Sequence, residues 1–292
     1  MRSFETMNPA AVSVQLLLAA CITLFCLEPS LLLISLLCGL SYFVLRNGSG
    51  SRGFHLAALG IPALFAVLNP LWNQHGVTVL FFLNDRAYTL EALCYGAVTG
   101  VRLAAVLYWF RNFSDLMTSE KLFYLFRFLS PKLALIFTVA LRNITLFRVQ
   151  MHKIQETQRA AGLYREGHLI DDLRGGLRVF SILLTWALEN GIITASSMSA
   201  RGYGSGKRTS CTFYRWTKGD VILLLLSLAL SAASLVPIAY GALKREYYPV
   251  SVPPDYGAGY FLAVGAYTAL ALLPLIYAGK EALTWHSLRS EI

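Results

Sequence analysis

The chain has 292 residues, of which 56% are apolar and 14% charged, with a formal charge of +9. Soluble domains carry about a quarter charged residues, so this balance, with a mean hydropathy of +0.55, excludes an ordinary water-soluble protein and points to the membrane. The basic residues lie on apolar patterns without a nucleic-acid-binding motif, which excludes nucleic acid as the partner. Of the five cysteines, Cys21, Cys26, Cys38 and Cys94 lie in apolar runs and Cys211 stands apart; none forms a Cys-x-x-Cys pair, so neither a disulfide framework nor a zinc site is expected.

Six apolar runs are candidates to cross a bilayer core about 30 Å thick: residues 10–27, 31–45, 54–72, 88–110, 221–243 and 257–277. The first has a weakly charged flank and is followed by a second run after Glu28-Pro29, so it reads as a retained span and not a cleaved signal. Residues 76–89 are short, β-branched and aromatic, with Asn84-Asp85 as a tight turn, and predict a small external β-hairpin. Thr89 then offers an N-cap hydroxyl and Glu91 a first-turn acid for a helix from Leu90. On that helix Gly96, Gly100 and Ala104 recur every fourth residue, the spacing that lets helices pack closely in lipid. Arg102 is a charge inside an apolar helix, open both to a functional role and to snorkelling.

From Ser114 to Lys218 the character changes: this segment holds 15 of the 25 Lys and Arg residues against seven acids. Ser130-Pro131 starts a long helix with the apolar stripe Leu133, Ile136, Ala140, Ile144, Phe147, Met151 and Ile154, ending at Gly162. Asp171 and Asp172 start a second, with the stripe Leu177, Phe180, Leu184, Leu188, Ile192, Ala195 and Met198, ending at Gly202. Residues 179–198 are also apolar enough to cross a membrane, but basic flanks at both ends and Glu189 oppose that reading. A 244–256 loop rich in proline reads as an external linker, and residues 280–292 as a polar tail. Lys244 and Arg245 in that loop run against the positive-inside rule; the 114–218 excess favours the cytoplasm for that segment and both termini.

No phosphate-binding loop of the Gly-x-x-x-x-Gly-Lys-Ser/Thr type and no His-Glu-x-x-His metal motif occurs in the sequence. The Gly-rich stretch Gly202 to Lys207 lacks a preceding strand. No catalytic residue and no metal ligand is therefore assigned.

The ordered series Asn69-Pro70-Leu71-Trp72-Asn73-Gln74-His75-Gly76, Thr89-Leu90-Glu91, Tyr95-Gly96, Met117-Thr118-Ser119-Glu120-Lys121 and Pro131-Lys132-Leu133-Ala134-Leu135 resembles the transmembrane T component of energy-coupling factor (ECF) transporters, most closely over residues 55–220. The resemblance implies an all-α integral membrane protein: a bundle of about five or six transmembrane helices, a cytoplasmic pair of long crossing coupling helices, and the external hairpin. The corresponding domains are 1–113, 114–218 and 219–292. It implies a non-catalytic coupling subunit of an ABC importer in a prokaryotic cell membrane. Two ABC ATPase subunits would carry the ATP and magnesium, a small S component would bind a vitamin or metal ion, and this chain would bind no cofactor of its own.

In such proteins each coupling helix ends in an Ala-Arg-Gly-like motif that docks into one ATPase. Ser199-Ala200-Arg201-Gly202 matches in full. Arg159-Ala160-Ala161-Gly162 departs, because Ala161 stands where the family has arginine, and Arg159 points elsewhere on the helix. Met117, Phe123, Tyr124 and Phe126, with Phe128, form an aromatic-rich stretch open to two uses, gripping the S component or packing on the bundle. His75 and the Glu189-Asn190 pair are weaker candidates. An intramembrane lipid-modifying enzyme and a self-sufficient secondary carrier are the alternatives from other functional classes.

Overall fold

The computed structural model describes residues 4, 7–47, 52–73, 76–83, 86–119, 121–122, 124–125, 131–163, 169–206, 214, 216–249 and 251–290. The Asn84-Asp85 turn and the calls on His75, Phe123, Phe126, Phe128 and Cys211 lie outside them. In chain order the elements are α1 (Pro9–Phe25), α2 (Pro29–Asn47), α3 (Arg52–Trp72), β1 (Val79–Leu83), β2 (Arg86–Thr89), α4 (Leu90–Leu116), α5 (Pro131–Ala160), α6 (Leu169–Ala200), α7 (Lys218–Ala239) and α8 (Ala258–Ser290). They divide into two compact units, Met1–Leu122 with Tyr214–Ile292, and Phe123–Phe213.

In the first unit the helices start where the sequence provides caps. The Asn8 side chain accepts from the Ala10 amide at 3.0 Å, ahead of Pro9 at the first helical position. Thr89 Oγ1 accepts from the Ala92 amide at the start of α4. Before α7, Asp220 accepts the Thr217 amide at 2.9 Å through Oδ2 and the Asn8 amide at 3.0 Å through Oδ1. One buried carboxylate thus closes α7's own cap and ties α1 to α7.

These contacts mark two ends of a bundle. At one, Asp220 meets Asn8, Arg46 Nη2 donates to the Asp115 carbonyl at 3.0 Å, and the Phe4 and Tyr277 rings stack at 5.9 Å. At the other, the Tyr247 hydroxyl donates to the Leu27 carbonyl at 2.8 Å, Asn69 Nδ2 donates to the Ala92 carbonyl at 2.7 Å, and the Ser30 and Tyr260 hydroxyls bond at 2.7 Å. Burial pushes Tyr247 up to about 12, so it remains a protonated donor. The helices α1, α2, α3, α4, α7 and α8 all run between these ends.

Five of those six, α2, α3, α4, α7 and the Ala258–Lys280 part of α8, are long and apolar enough to cross a membrane. The protein is a multi-pass membrane protein. The shorter α1, with 17 residues, is pinned at both ends of the bundle. The sixth helix that meets the length and hydropathy standard is Asp171–Ala200 within α6. The tail past Lys280 stays helical to Ser290, because no glycine or proline after Gly279 interrupts it.

Packing between the helices depends on small residues and on shared hydroxyls. A Cβ on Gly100 would stand 2.4 Å from Pro62 Cα, and one on Gly96 would stand 2.5 Å from the Phe65 carbonyl oxygen, so α3 and α4 meet backbone to backbone. Ala104, the third member of that series, is 1% exposed. In the core, Thr23 of α1 and Ser35 of α2 bond at 2.8 Å. The Tyr267 hydroxyl of α8 meets both at 2.7 Å, and Trp109 Nε1 of α4 donates to Ser35 at 2.9 Å. In hydrocarbon such groups have no water to turn to, so the four helices satisfy one another.

The hairpin is a two-stranded antiparallel ribbon pairing Phe82 with Ala87 and Leu83 with Arg86, with an irregularity between Val79 and Phe81. Glu91 holds it to α4: its carboxylate accepts from the Thr78 amide at 3.2 Å and from the Thr78 hydroxyl. A side chain read from sequence as a helix-start charge therefore also anchors the strand entering the ribbon.

The second unit is built on α5 and α6. The latter begins two residues ahead of the acidic pair, placing Asp171 and Asp172 in its first turn. The Phe147 and Trp186 rings meet edge to face at 5.8 Å, Arg178 Nη1 donates to Gln158 Oε1 at 3.5 Å, and Ile154 and Val179 are buried. The partners advance along α5 as they retreat along α6, so the two helices run antiparallel.

Candidate functional site

The two long helices end in the same way. At the end of α5 the Leu163 amide donates to the Gln158 carbonyl at 3.1 Å and the Gly162 amide to the Arg159 carbonyl at 3.0 Å, with Gly162 at φ +69°. At the end of α6 the Tyr203 amide donates to the Met198 carbonyl at 3.0 Å and the Gly202 amide to the Ser199 carbonyl at 3.0 Å, with Gly202 at φ +79°. Each is a Schellman close, in which a left-handed glycine lets the chain turn back and satisfy the last carbonyls. A side chain at either glycine would be strained by its φ, which is why the sequence holds glycine there.

This register fixes which residues correspond. Arg201 and Ala161 occupy the same position, immediately before the left-handed glycine, and both are exposed. Arg159 corresponds to Ser199, two residues back, so it does not replace the guanidinium missing at Ala161. Ala160, Ala200 and Ser199 are likewise exposed and small, leaving the approach to each tip open.

The tips are far apart. The Gln158–Arg178 contact holds the first tip beside the early turns of α6. From Arg178 to Arg201 that helix extends about 35 Å at 1.5 Å per residue. A single small partner cannot cover both. Along its length α6 presents Leu173, Leu177, Phe180, Leu184, Leu188 and Ile192, all exposed. Burying such a side chain is worth about 1.5–3 kcal/mol, so a face of this size calls for lipid or a partner.

Beyond the tips, the structure separates the remaining candidates. Met117 is 5% exposed and part of the first unit's core, its amide donating to the Phe113 carbonyl at 2.8 Å. Tyr124 is half-buried in the second unit. Among the described residues Arg102 Nε is buried without a hydrogen-bond partner, and so is Thr99 Oγ1 one turn earlier on α4. Glu189 is exposed, and the Asn190 carbonyl accepts from Thr194 Oγ1 at 2.7 Å. Among the described residues no three His, Cys, Asp or Glu side chains gather as metal ligands.

Comparison with known proteins finds relatives over part of the chain. The chain is 31% identical over 106 residues to the energy-coupling factor transporter transmembrane protein EcfT 1 of Listeria monocytogenes, covering 36% of this chain and 40% of that protein. It is 28% identical over 181 residues to EcfT of Listeria innocua, covering 58% and 68%. With EcfT of Lactobacillus helveticus it shares 30% over 107 residues, covering 36% and 39%. Over these segments the chain is similar to EcfT proteins. No family model matches it. The matched segments span about two-fifths of two of these relatives and about two-thirds of the third. Sequence reading of the chain found both tips, but it missed their identical hydrogen-bond register, which the aligned Gly162 and Gly202 signal.

Proposed function

We propose that this chain is the non-catalytic, membrane-embedded coupling subunit of an ECF-type ABC importer. Two ABC ATPase subunits, which carry the ATP and magnesium, dock at the tips around Arg201 and Ala161. A small S component that binds a vitamin or metal ion lies against the exposed apolar face of α6. The domains are then a transmembrane part over 1–113 and 219–292 and a coupling part over 114–218. The observation that carries the reading is the pair of tips closed in one register about 35 Å apart along α6. That is a spacing for two separate but similar partners.

The charge distribution supports a cytoplasmic coupling part and cytoplasmic termini. The 114–218 segment holds most of the basic residues, and Arg46, Arg111 and Lys121 belong to the bundle end opposite the hairpin. Force enters when ATP binding closes the ATPases around the tips. It is transmitted along α5 and α6 as levers clamped at Phe147–Trp186, and it tilts the S component. Arg201 supplies a planar, permanently charged fork for a carboxylate in one ATPase.

Arg201→Glu tests the docking role. The expected result is loss of ATP-dependent uptake and of ATPase co-purification, with the chain still present in the membrane. Wild-type uptake together with intact ATPase capture by that variant would sink the assignment.

A further inference from the structure

At the hairpin end of the bundle, a cleft of about 500 Å³ opens between α4, the start of α2 and the connection between α7 and α8. Its wall along α4 is apolar: Leu90, Cys94, Ala97 and Val98 descend one face of the helix into the membrane-spanning part. Its mouth is charged. Arg245 and Glu91 line it, and Glu28 stands behind Arg245, with Nη1 to Oε1 at 3.7 Å. That separation is too long for a hydrogen bond. Arg245 Nε donates to nothing and Glu28 Oε2 accepts nothing among the described residues, although both atoms are buried. The Glu28 side chain is 3% exposed and that of Arg245 25%. A buried donor and a buried acceptor left without partners cost about 1–3 kcal/mol each, so the charged mouth is held at some expense by the surrounding fold.

The shape and the charges select the ligand class. An apolar wall leading from a charged mouth at the bundle's end suits an amphiphile with its chain along α4. Arg245 and Glu91 both line the mouth, so a headgroup carrying only negative charge would leave the carboxylate unmatched. A headgroup with both a phosphate and a primary ammonium satisfies both signs: the phosphate accepts from Arg245, and the ammonium donates to Glu91. The Tyr247 ring, 5.6 Å beneath the Arg245 guanidinium, holds that fork in place at the mouth. We propose that this cleft is a binding site for an amino-phospholipid, separate from the tips and the α6 face through which partner subunits would act.

The test uses the full chain purified in detergent and titrated with phosphatidylethanolamine, phosphatidylcholine or phosphatidylglycerol. Retention is read by native mass spectrometry and stabilisation by the thermal midpoint. Phosphatidylcholine keeps the phosphate but has no N–H to donate, and phosphatidylglycerol lacks the cation. The expected result is retention of phosphatidylethanolamine at concentrations roughly tenfold lower than either of the others. Arg245→Gln, which removes the fork, and Ala97→Trp, which fills the apolar wall and leaves every charge in place, should each abolish that preference. Equal retention of the three lipids, preference for phosphatidylglycerol, or phosphatidylethanolamine retention unchanged in both variants overturns the proposal. Because the readout needs no ATPase and no S component, failure here is distinguishable from failure of the transporter assignment.

Discussion

Single positions at the tips govern how strongly each would hold a partner. Arg201 and Ala161 share one backbone position, so at the residue before the left-handed glycine the tips differ by a guanidinium. A charge-assisted, forked hydrogen bond contributes about 1.5–3 kcal/mol, on the order of 10- to 150-fold in affinity. Ala161→Arg should therefore tighten ATPase binding at the first tip and partly restore capture lost through Arg201→Ala, measured by co-purification of the ATPase subunits from membranes. No gain in the double variant would count against ATPase docking through the first tip. The glycines on either helix end were legible in sequence because only they tolerate the positive φ required there. The Glu91–Thr78 anchor was not, since a first-turn acid looks the same whether or not a strand folds back on it.

At the scale of elements, the α3–α4 pair shows how little room the membrane bundle leaves. Adding one methyl at Gly100 would bring it to 2.4 Å from Pro62 Cα, a backbone atom that cannot rotate away. Gly100→Ala should separate the helices at a cost of about 1–3 kcal/mol, seen as a lower thermal midpoint of the purified chain. Gly191→Ala on α6, where nothing stands within 4 Å, should leave the midpoint unchanged or raise it through better helix propensity. An equal effect of the two substitutions would mean that the close approach is not what stabilises the pair. The four-residue repeat of small residues predicted that α4 packs tightly, whereas its partner could be read only from the contact itself.

For the whole molecule, pH acts through the buried charge at the hairpin end. Burial raises the Glu28 carboxyl above the usual carboxylate range, with Arg245 and a hydrogen bond from Tyr260 pulling the other way. A raised folded-state value means that the contribution to stability is fully present below the ordinary carboxylate range and is lost as pH rises through the raised value. Thermal midpoints of the full chain and of Glu28→Gln should therefore coincide near pH 4 and separate toward neutrality, with Gln the more stable. Parallel profiles across that range would contradict the burial argument. Because Glu28 and Arg245 lie more than two hundred residues apart in the chain, this dependence belongs to the assembled bundle and not to any single segment.

Composition and periodicity by themselves determined that the chain lives in a membrane, where its spans lie, that Pro131 opens a long helix, and that two similar helices end at Gly162 and Gly202. These properties follow from local rules: apolar length against bilayer thickness, caps, and the glycine tolerance for positive φ. Only the tertiary structure decided that the short α1 is pinned at both ends of the bundle, that Asp220 closes two helices at once, and that Arg245, at the mouth of the cleft, is backed by Glu28. Each of these brings together residues distant in the chain. Pairing of that kind is set by how helices pack, and the one-dimensional pattern of polar and apolar residues does not encode it.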